Sequence, residues 1–325
     1  MESSTIVKSK LSEHLPDNFV LIGYASFEQR STTVSLSVNS NRVNKAIIFH
    51  TKGNDDQRSK NIINEQFNSH LEFIELDINN PIDIGRRMTY EIKKLLLINT
   101  ALVIDITTFT HETLLMLLKL IYTNIKYFSS VTCLYNGAEE YSVDDLPEQV
   151  WLSKGCRDIR NVIGYPGLIR PSAKTCLVLL TGFELERATR LIELIEPDKL
   201  ALGSGFDPLN EKHAKLMEYF NKEFIKWQES YKSIIQTSFN FSCKNIAQTV
   251  NELNKIIIEN PKDNYIIVPL NTKLSTIATA IVALQSKKIQ VCYSIPEIYN
   301  TKNYSRPSDN ITIFPLSEIE ISKIL

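Results

Sequence analysis

The stretch that most constrains the fold is Leu102-Val-Ile-Asp105-Ile-Thr107-Thr108-Phe-Thr110-His111-Glu112-Thr-Leu-Leu-Met-Leu-Leu-Lys119. It opens as a short apolar run, β-branched at Val103 and Ile104, and then breaks into small hydroxylated residues. It restarts at helical spacing with Leu114, Leu115, Leu117, Leu118 and Ile121. That order spells a buried strand, a tight loop and a helix N-terminus. In an open α/β sheet such a loop presents backbone N–H groups and a positive dipole end beyond the carboxyl edge of the strand. A second copy follows from Tyr265 to Leu284, with Asn271, Thr272, Lys273 and Ser275 in the loop.

The rest of the chain alternates in the same way. Phe19–Tyr24, Lys45–His50, Leu71–Leu76 and Val131–Tyr135 read as further strands before residue 142, separated by helical segments. Between residues 143 and 174 turn formers replace periodicity, although Trp151, Val162, Ile163 and Tyr165 are too apolar for a loose linker. From Thr175 the alternation restarts, and Asn310–Phe314 adds a candidate edge strand. The polar first 18 residues read as a frayed end or a short helix. Strands alternating with helices predict a mostly parallel sheet. At 325 residues the chain is long enough for about two domains. The expected organisation is α/β: two tandem Rossmann-like parallel-sheet units related by internal duplication. They cover residues 1–142 and 175–325, with an ordered connector at 143–174.

The duplication is read from landmarks in the same order. Phe27-Glu28 stands just after the first strand of one half, and Phe183-Glu184 after that of the other; Arg30 and Arg187 follow close behind. Thr110-His111 answers to Thr272-Lys273, and Tyr135-x3-Glu139-x-Tyr141 to Tyr293-x3-Glu297-x-Tyr299. Two unrelated Rossmann-like domains are the alternative. In the strand order 3-2-1-4-5 the first and fourth strands are neighbours at the topological switch point, where ligands of such sheets bind. The candidate site residues are therefore Gly23, Phe27, Glu28, Arg30, Asp105, Thr107, Thr108 and Thr110 in the first half. Gly182, Phe183, Glu184, Arg187, Asn271, Thr272, Lys273 and Ser275 are their counterparts in the second.

Each has a plainer role open to it. Asp105 either caps helix N–H groups or accepts hydrogen bonds from a ribose or base. Lys273 gains nothing from the helix dipole, so it reads as an anion contact or as a solvated lysine. His111 donates to the same kind of ligand or is a satisfied structural residue. Glu28 with Arg30 and Glu184 with Arg187 form either local ion pairs or ligand contacts. The threonines and Ser275 are as common in caps as in sites.

At these loops a family resemblance emerges. Leu270-Asn271-Thr272-Lys273 before an Ala/Ser/Thr-rich helix resembles the strand–G-T-K–helix element of CARF (CRISPR-associated Rossmann-fold) domains. Asp105-Ile-Thr107-x-x-Thr110 resembles the D-x-T-x-x-T form of that element. Asn271 and Phe109 stand where the family has glycine, and the first half lacks the lysine. The resemblance implies binding of cyclic oligoadenylates or related nucleotides, as in CARF domains and the fused SAVED domains, within a prokaryotic defence system.

Composition narrows the rest. A formal net charge of -1 argues against an electrostatic grip on duplex nucleic acid. The five cysteines form no C-x-x-C and the five histidines no H-E-x-x-H, which points to a reducing cytoplasmic setting without a zinc site. No apolar run approaches the roughly 18 residues needed to span a bilayer, and no cofactor signature is present. Three functions follow as expectations. The first is a nucleotide-binding sensor or regulatory subunit, its two pseudo-equivalent halves forming the ligand cleft, with a separate effector protein as partner. The second is an enzyme on a nucleotide or nucleic acid, using Asp105, His111 and Glu112 as acid/base groups. The third is a structural subunit of a complex.

Overall fold

The computed structural model describes residues 3–53, 56–143, 145–208 and 210–317. Residues 1–2 and 318–325 of the expected units, with 54–55, 144 and 209, lie outside the described residues. In the first part of the chain β1 is Ser4–Val7, β2 Phe19–Ala25, α1 Thr33–Ser37, β3 Val43–Thr51 and α2 Gln57–Phe67. Then come β4 Leu71–Leu76, α3 Pro81–Leu95, β5 Ala101–Asp105, α4 His111–Asn124, β6 Ser130–Tyr135 and β7 Ala138–Tyr141. The second part holds β8 Ser153–Lys154, β9 Asp158–Pro166, β10 Thr175–Thr181, α5 Leu185–Ile195, β11 Lys199–Gly205, α6 Glu211–Gln228 and β12 Ile235–Phe241. It continues with α7 Ile246–Glu259, β13 Asn264–Pro269, α8 Lys273–Gln285, β14 Ile289–Ile295 and β15 Ile298–Tyr299. β16 Ser305–Pro307 and β17 Asn310–Pro315 end the described chain.

The described residues divide into two compact units, one of residues 3–140 with 305–317 and one of residues 141–304. The first sheet runs β1-β17-β6-β5-β2-β3-β4. Its parallel part, β4-β3-β2-β5-β6, is the doubly wound order 3-2-1-4-5, with Leu21 level with Val103 and Ile22 with Ile104. β2 and β5 are buried along their whole length, as strands covered on both faces must be. Side chains alternate across the sheet: Phe19, Leu21 and Ala25 join Leu11, Val34, Ile63 and Phe67 in one apolar cluster.

The second sheet runs β12-β11-β10-β13-β14-β9. Its parallel strands β12-β11-β10-β13-β14 take the same 3-2-1-4-5 order, and β9 lies antiparallel on β14. Leu177, Leu179, Leu191, Leu202, Phe224 and Val268 form the core on one face. Both sheets are thus parallel-rich, Rossmann-like α/β layers.

Three elements differ from the sequence expectation. Residues 4–7 form a strand, with polar Ser4 and Thr5 paired along β17, ahead of the short helix that the sequence allowed, a 3-10 helix over Lys8–His14 with Leu11 buried. The connector contains the nine-residue β9, whose apolar residues Val162 and Tyr165 are buried where it pairs with β14. β17 is no edge of the second unit: it inserts between β6 and β1 of the first, where Ile311 and Phe314 are fully buried. Among the described residues no helix is long and apolar enough to cross a membrane.

Candidate functional site

In the first unit β2 and β5 are adjacent and parallel, so their carboxyl ends open on one edge. Thr108 ties the β5–α4 loop directly to the end of β2: its hydroxyl donates to the Tyr24 carbonyl at 2.6 Å. Phe109 turns inward and is buried against the rings of Tyr24 and Phe49, at 5.0 and 6.2 Å. Thr110 caps α4, accepting the Thr113 N–H at 3.1 Å. This is the N-cap geometry that places His111 and Glu112 in the first helical turn. Glu112 is buried there.

Asp105 ends β5 and is only 4% exposed. Its Oδ1 accepts both the backbone N–H and the hydroxyl of Thr107, at 3.0 and 2.5 Å. Burial pushes its carboxyl up to about 6, against those two hydrogen bonds and the field of Arg30. The Thr107 hydroxyl in turn accepts the Asn136 N–H at 3.0 Å, and the Asn136 carbonyl accepts Arg30 Nη1 at 3.2 Å. A continuous polar chain therefore runs from Asp105 through Thr107 and Asn136 to Arg30.

Arg30 is buried and held by its own chain. Nη2 reaches Glu28 Oε2 at 2.6 Å, and Nε donates to the same oxygen at 2.9 Å and to Ser305 Oγ at 3.0 Å. The Ser305 hydroxyl donates to Glu28 as well. Gly23 opens no space for a ligand, because a Cβ there would meet Ile48 Cδ1 at 3.1 Å.

The second unit repeats this arrangement at the ends of β10 and β13. Asn271 Nδ2 donates to the Thr181 carbonyl at 2.6 Å, and Asn271 Oδ1 accepts the Thr272 N–H at 2.8 Å. Gly182 is required by the closeness of the loops: a Cβ would stand 2.4 Å from the Leu270 carbonyl oxygen. Thr272 caps α8 through the Ser275 N–H at 3.3 Å, and the Ser275 hydroxyl returns to the Thr272 carbonyl at 2.8 Å. Lys273 is the first residue of that helix.

Arg187 is buried like Arg30. Nη1 binds Glu184 Oε2 at 2.5 Å and Ser153 Oγ at 3.3 Å, while Nη2 donates to the Ser294 carbonyl. In both units, then, a buried guanidinium joins a nearby glutamate, a serine at the start of a short strand, and a carbonyl directly after the tyrosine of the fifth parallel strand. Phe183 packs on Phe220 of α6 and on Tyr141, at ring distances of 4.7 and 5.8 Å.

The predicted residues described above thus gather at one sheet edge in each unit, where several of them bond to the protein itself. Asp105, Thr107, Thr108 and Asn271 bond to the loops themselves, and Glu28, Arg30, Glu184 and Arg187 form internal ion pairs. Asn136, Ser153, Ser294 and Ser305 were absent from the sequence candidates. The matching tyrosines Tyr135 and Tyr293 stand immediately before two of them; Ser153 and Ser305 lie in irregular sequence with no pattern to mark them. Asn136 is fully buried, its amide donating to the carbonyls of Ser308 and Asn310 at 2.8 and 2.9 Å, while Oδ1 has no hydrogen-bond partner among the described residues. Burial raises the thiols of Cys133, Cys176, Cys243 and Cys292, which disfavours the nucleophilic thiolate.

The fold and these edges define the class: an α/β protein with two Rossmann-like sheets, each closing its switch point with a loop, a capped helix and a buried Arg–Glu pair. No protein-family model and no curated protein matches the chain.

Proposed function

We propose that the protein is a nucleotide-binding sensor or regulatory subunit that takes a nucleotide-type ligand at its switch-point loops and signals through a separate effector protein. The resemblance of the two loops to CARF and SAVED elements makes prokaryotic defence the proposed setting. What carries the reading is the direct joining of each fourth-strand loop to the end of the first strand, Thr108 to Tyr24 and Asn271 to Thr181. Each union lies beside the N-terminus of a long helix at a switch point, the place where doubly wound sheets bind ligands. In this reading Lys273 and the first turn of α8 receive phosphate, and Thr110 and His111 offer donors to the sugar or base. Arg30 and Arg187 are positioning residues that hold the loops through Glu28 and Glu184.

The test is calorimetry with a panel of linear and cyclic adenine nucleotides, with product analysis by mass spectrometry. Lys273→Ala should weaken binding about 10–150-fold, the value of a desolvated charge-assisted contact, with folding intact. Unchanged affinity in a folded variant rejects this loop as a phosphate site. Two observations favour other readings. The carboxyl of Asp105, near 6, suits an acid/base group, and turnover of a nucleotide would support an enzyme using Asp105, His111 and Glu112. The internal pairing of both guanidiniums suits a structural subunit, which binding of none of the panel would favour.

A further inference from the structure

At the opposite edge of the first sheet, where β5 and β6 begin, the surface is apolar and cationic. Helix α3 buries Ile84, Met88, Ile92 and Leu95, and its other face carries Ile82, Arg86, Tyr90 and Lys93 at helical spacing, with Leu97 and Ile98 in the turn that follows it. Tyr90 is 63% exposed, Leu97 87% and Ile98 59%. The turn before β6 adds Tyr127, 45% exposed, with Lys126 Nζ 5.2 Å from its ring centroid. The two segments are neighbours, since the Ser129 N–H donates to the Thr100 carbonyl at 3.2 Å and β5 pairs with β6. Asn99, held at φ 41, turns the chain from Ile98 into β5.

The charges left unpaired here are positive, since the half-exposed Glu72 of β4 is bound by Lys45 and Lys94. The acids of α3 are withdrawn: Glu91 is buried and bound to Lys94 at 2.8 Å, and Asp83 lies between Arg86 and Arg87 at 2.6 and 2.7 Å. Lys93 and Lys126 form no ion pair among the described residues. A protein with a net charge of -1 therefore concentrates positive charge around four large exposed apolar side chains. Single exposed apolar residues are ordinary; a contiguous group rimmed by polar residues marks an interaction surface.

We propose that the face formed by Tyr90, Lys93, Leu97, Ile98, Lys126 and Tyr127 docks an acidic, apolar segment of a second protein. The aliphatic pair and the tyrosine rings cover its apolar side chains, and the two lysines meet its carboxylates. A second copy of this chain fits poorly, because a two-fold contact would set cations against cations. An anionic membrane fits poorly too, since the chain as a whole has no net positive charge and this face has only two unpaired lysines among the described residues. The proposal stands whether or not the other edge of the sheet takes a nucleotide.

The experiment is selection of a random displayed-peptide library on the full chain, followed by titration of the enriched peptides. The expected enrichment is Asp and Glu interleaved with Leu, Ile or Phe. Leu97→Ser should weaken those peptides about 10-fold or more. Lys93→Glu with Lys126→Glu should reduce both affinity and its salt dependence. All three positions are exposed, and circular dichroism checks that the variants stay folded. Enrichment of basic or uncharged peptides, equal binding by the variants, or no enrichment would overturn the proposal. So would a dimer abolished by Leu97→Ser, or binding to phosphatidylserine vesicles that the same change removes.

Discussion

Asp105→Asn isolates the energetic effect of a buried carboxylate at the end of β5. The carboxyl is pushed from 3.8 up to about 6, with burial as the largest cause. The folded state therefore holds the proton more tightly than the unfolded chain. Stability from this group is fully present below about 3.8 and is lost as pH rises through about 6. The gap corresponds to about 3 kcal/mol at about 1.4 kcal/mol per pH unit, of which about 2 kcal/mol falls between pH 4.5 and 7.5. Asparagine keeps a carbonyl oxygen for the N–H and hydroxyl of Thr107 but does not titrate. Its new amide donors add an offset of about 1–3 kcal/mol if unpaired, and that offset is independent of pH. The variant should therefore gain about 2 kcal/mol relative to wild type between pH 4.5 and 7.5, whatever its absolute stability. Urea denaturation of both proteins across that range reads the difference, and exchange of the β5 and α4 amides assigns it to the first unit. A difference that stays flat with pH, or a carboxyl carbon resonance of Asp105 titrating near 3.8, would refute the argument from burial.

Three further outcomes are expected. Arg187→Ala should destabilise the second unit by about 3–5 kcal/mol by leaving Glu184 without its buried partner, and Arg187→Lys should fail to restore it because an ammonium lacks the planar fork; thermal unfolding checks both. Gly182→Ala should lower stability by about 1–3 kcal/mol, since its Cβ meets backbone at Leu270, whereas Gly23→Ala meets only the flexible end of Ile48 and should have less effect in the same denaturation assay. Thr110→Ala should remove the cap of α4 for about 0.5–2 kcal/mol, with Thr110→Ser restoring most of it, as hydrogen exchange in the first turn would show.

What the sequence determined by itself is local and periodic. Apolar runs such as Val103-Ile104 and Ile266-Ile267 can only be buried strands when helical spacing restarts a few residues later. Thr110 and Thr272 each precede such a restart, and each is a cap. The strand–helix alternation carried the two parallel-rich sheets because a buried strand and its covering helix each leave a repeat in the chain. Tertiary structure decided whatever depends on pairing across long separations. β17 reads like any amphipathic strand, and only its antiparallel fit between β6 and β1 assigns it to the first unit. β9 has few periodic cues because one neighbour, β14, supplies its order. Glu28 and Arg30 look the same in sequence whether they face a ligand or each other. Ser305, 275 residues from Arg30, closes that pair inside the protein, and a partner so distant leaves no trace in local spacing. The same holds for Asp105: its position at a strand end was legible, but its carboxyl near 6 follows from how completely the loops around it exclude water.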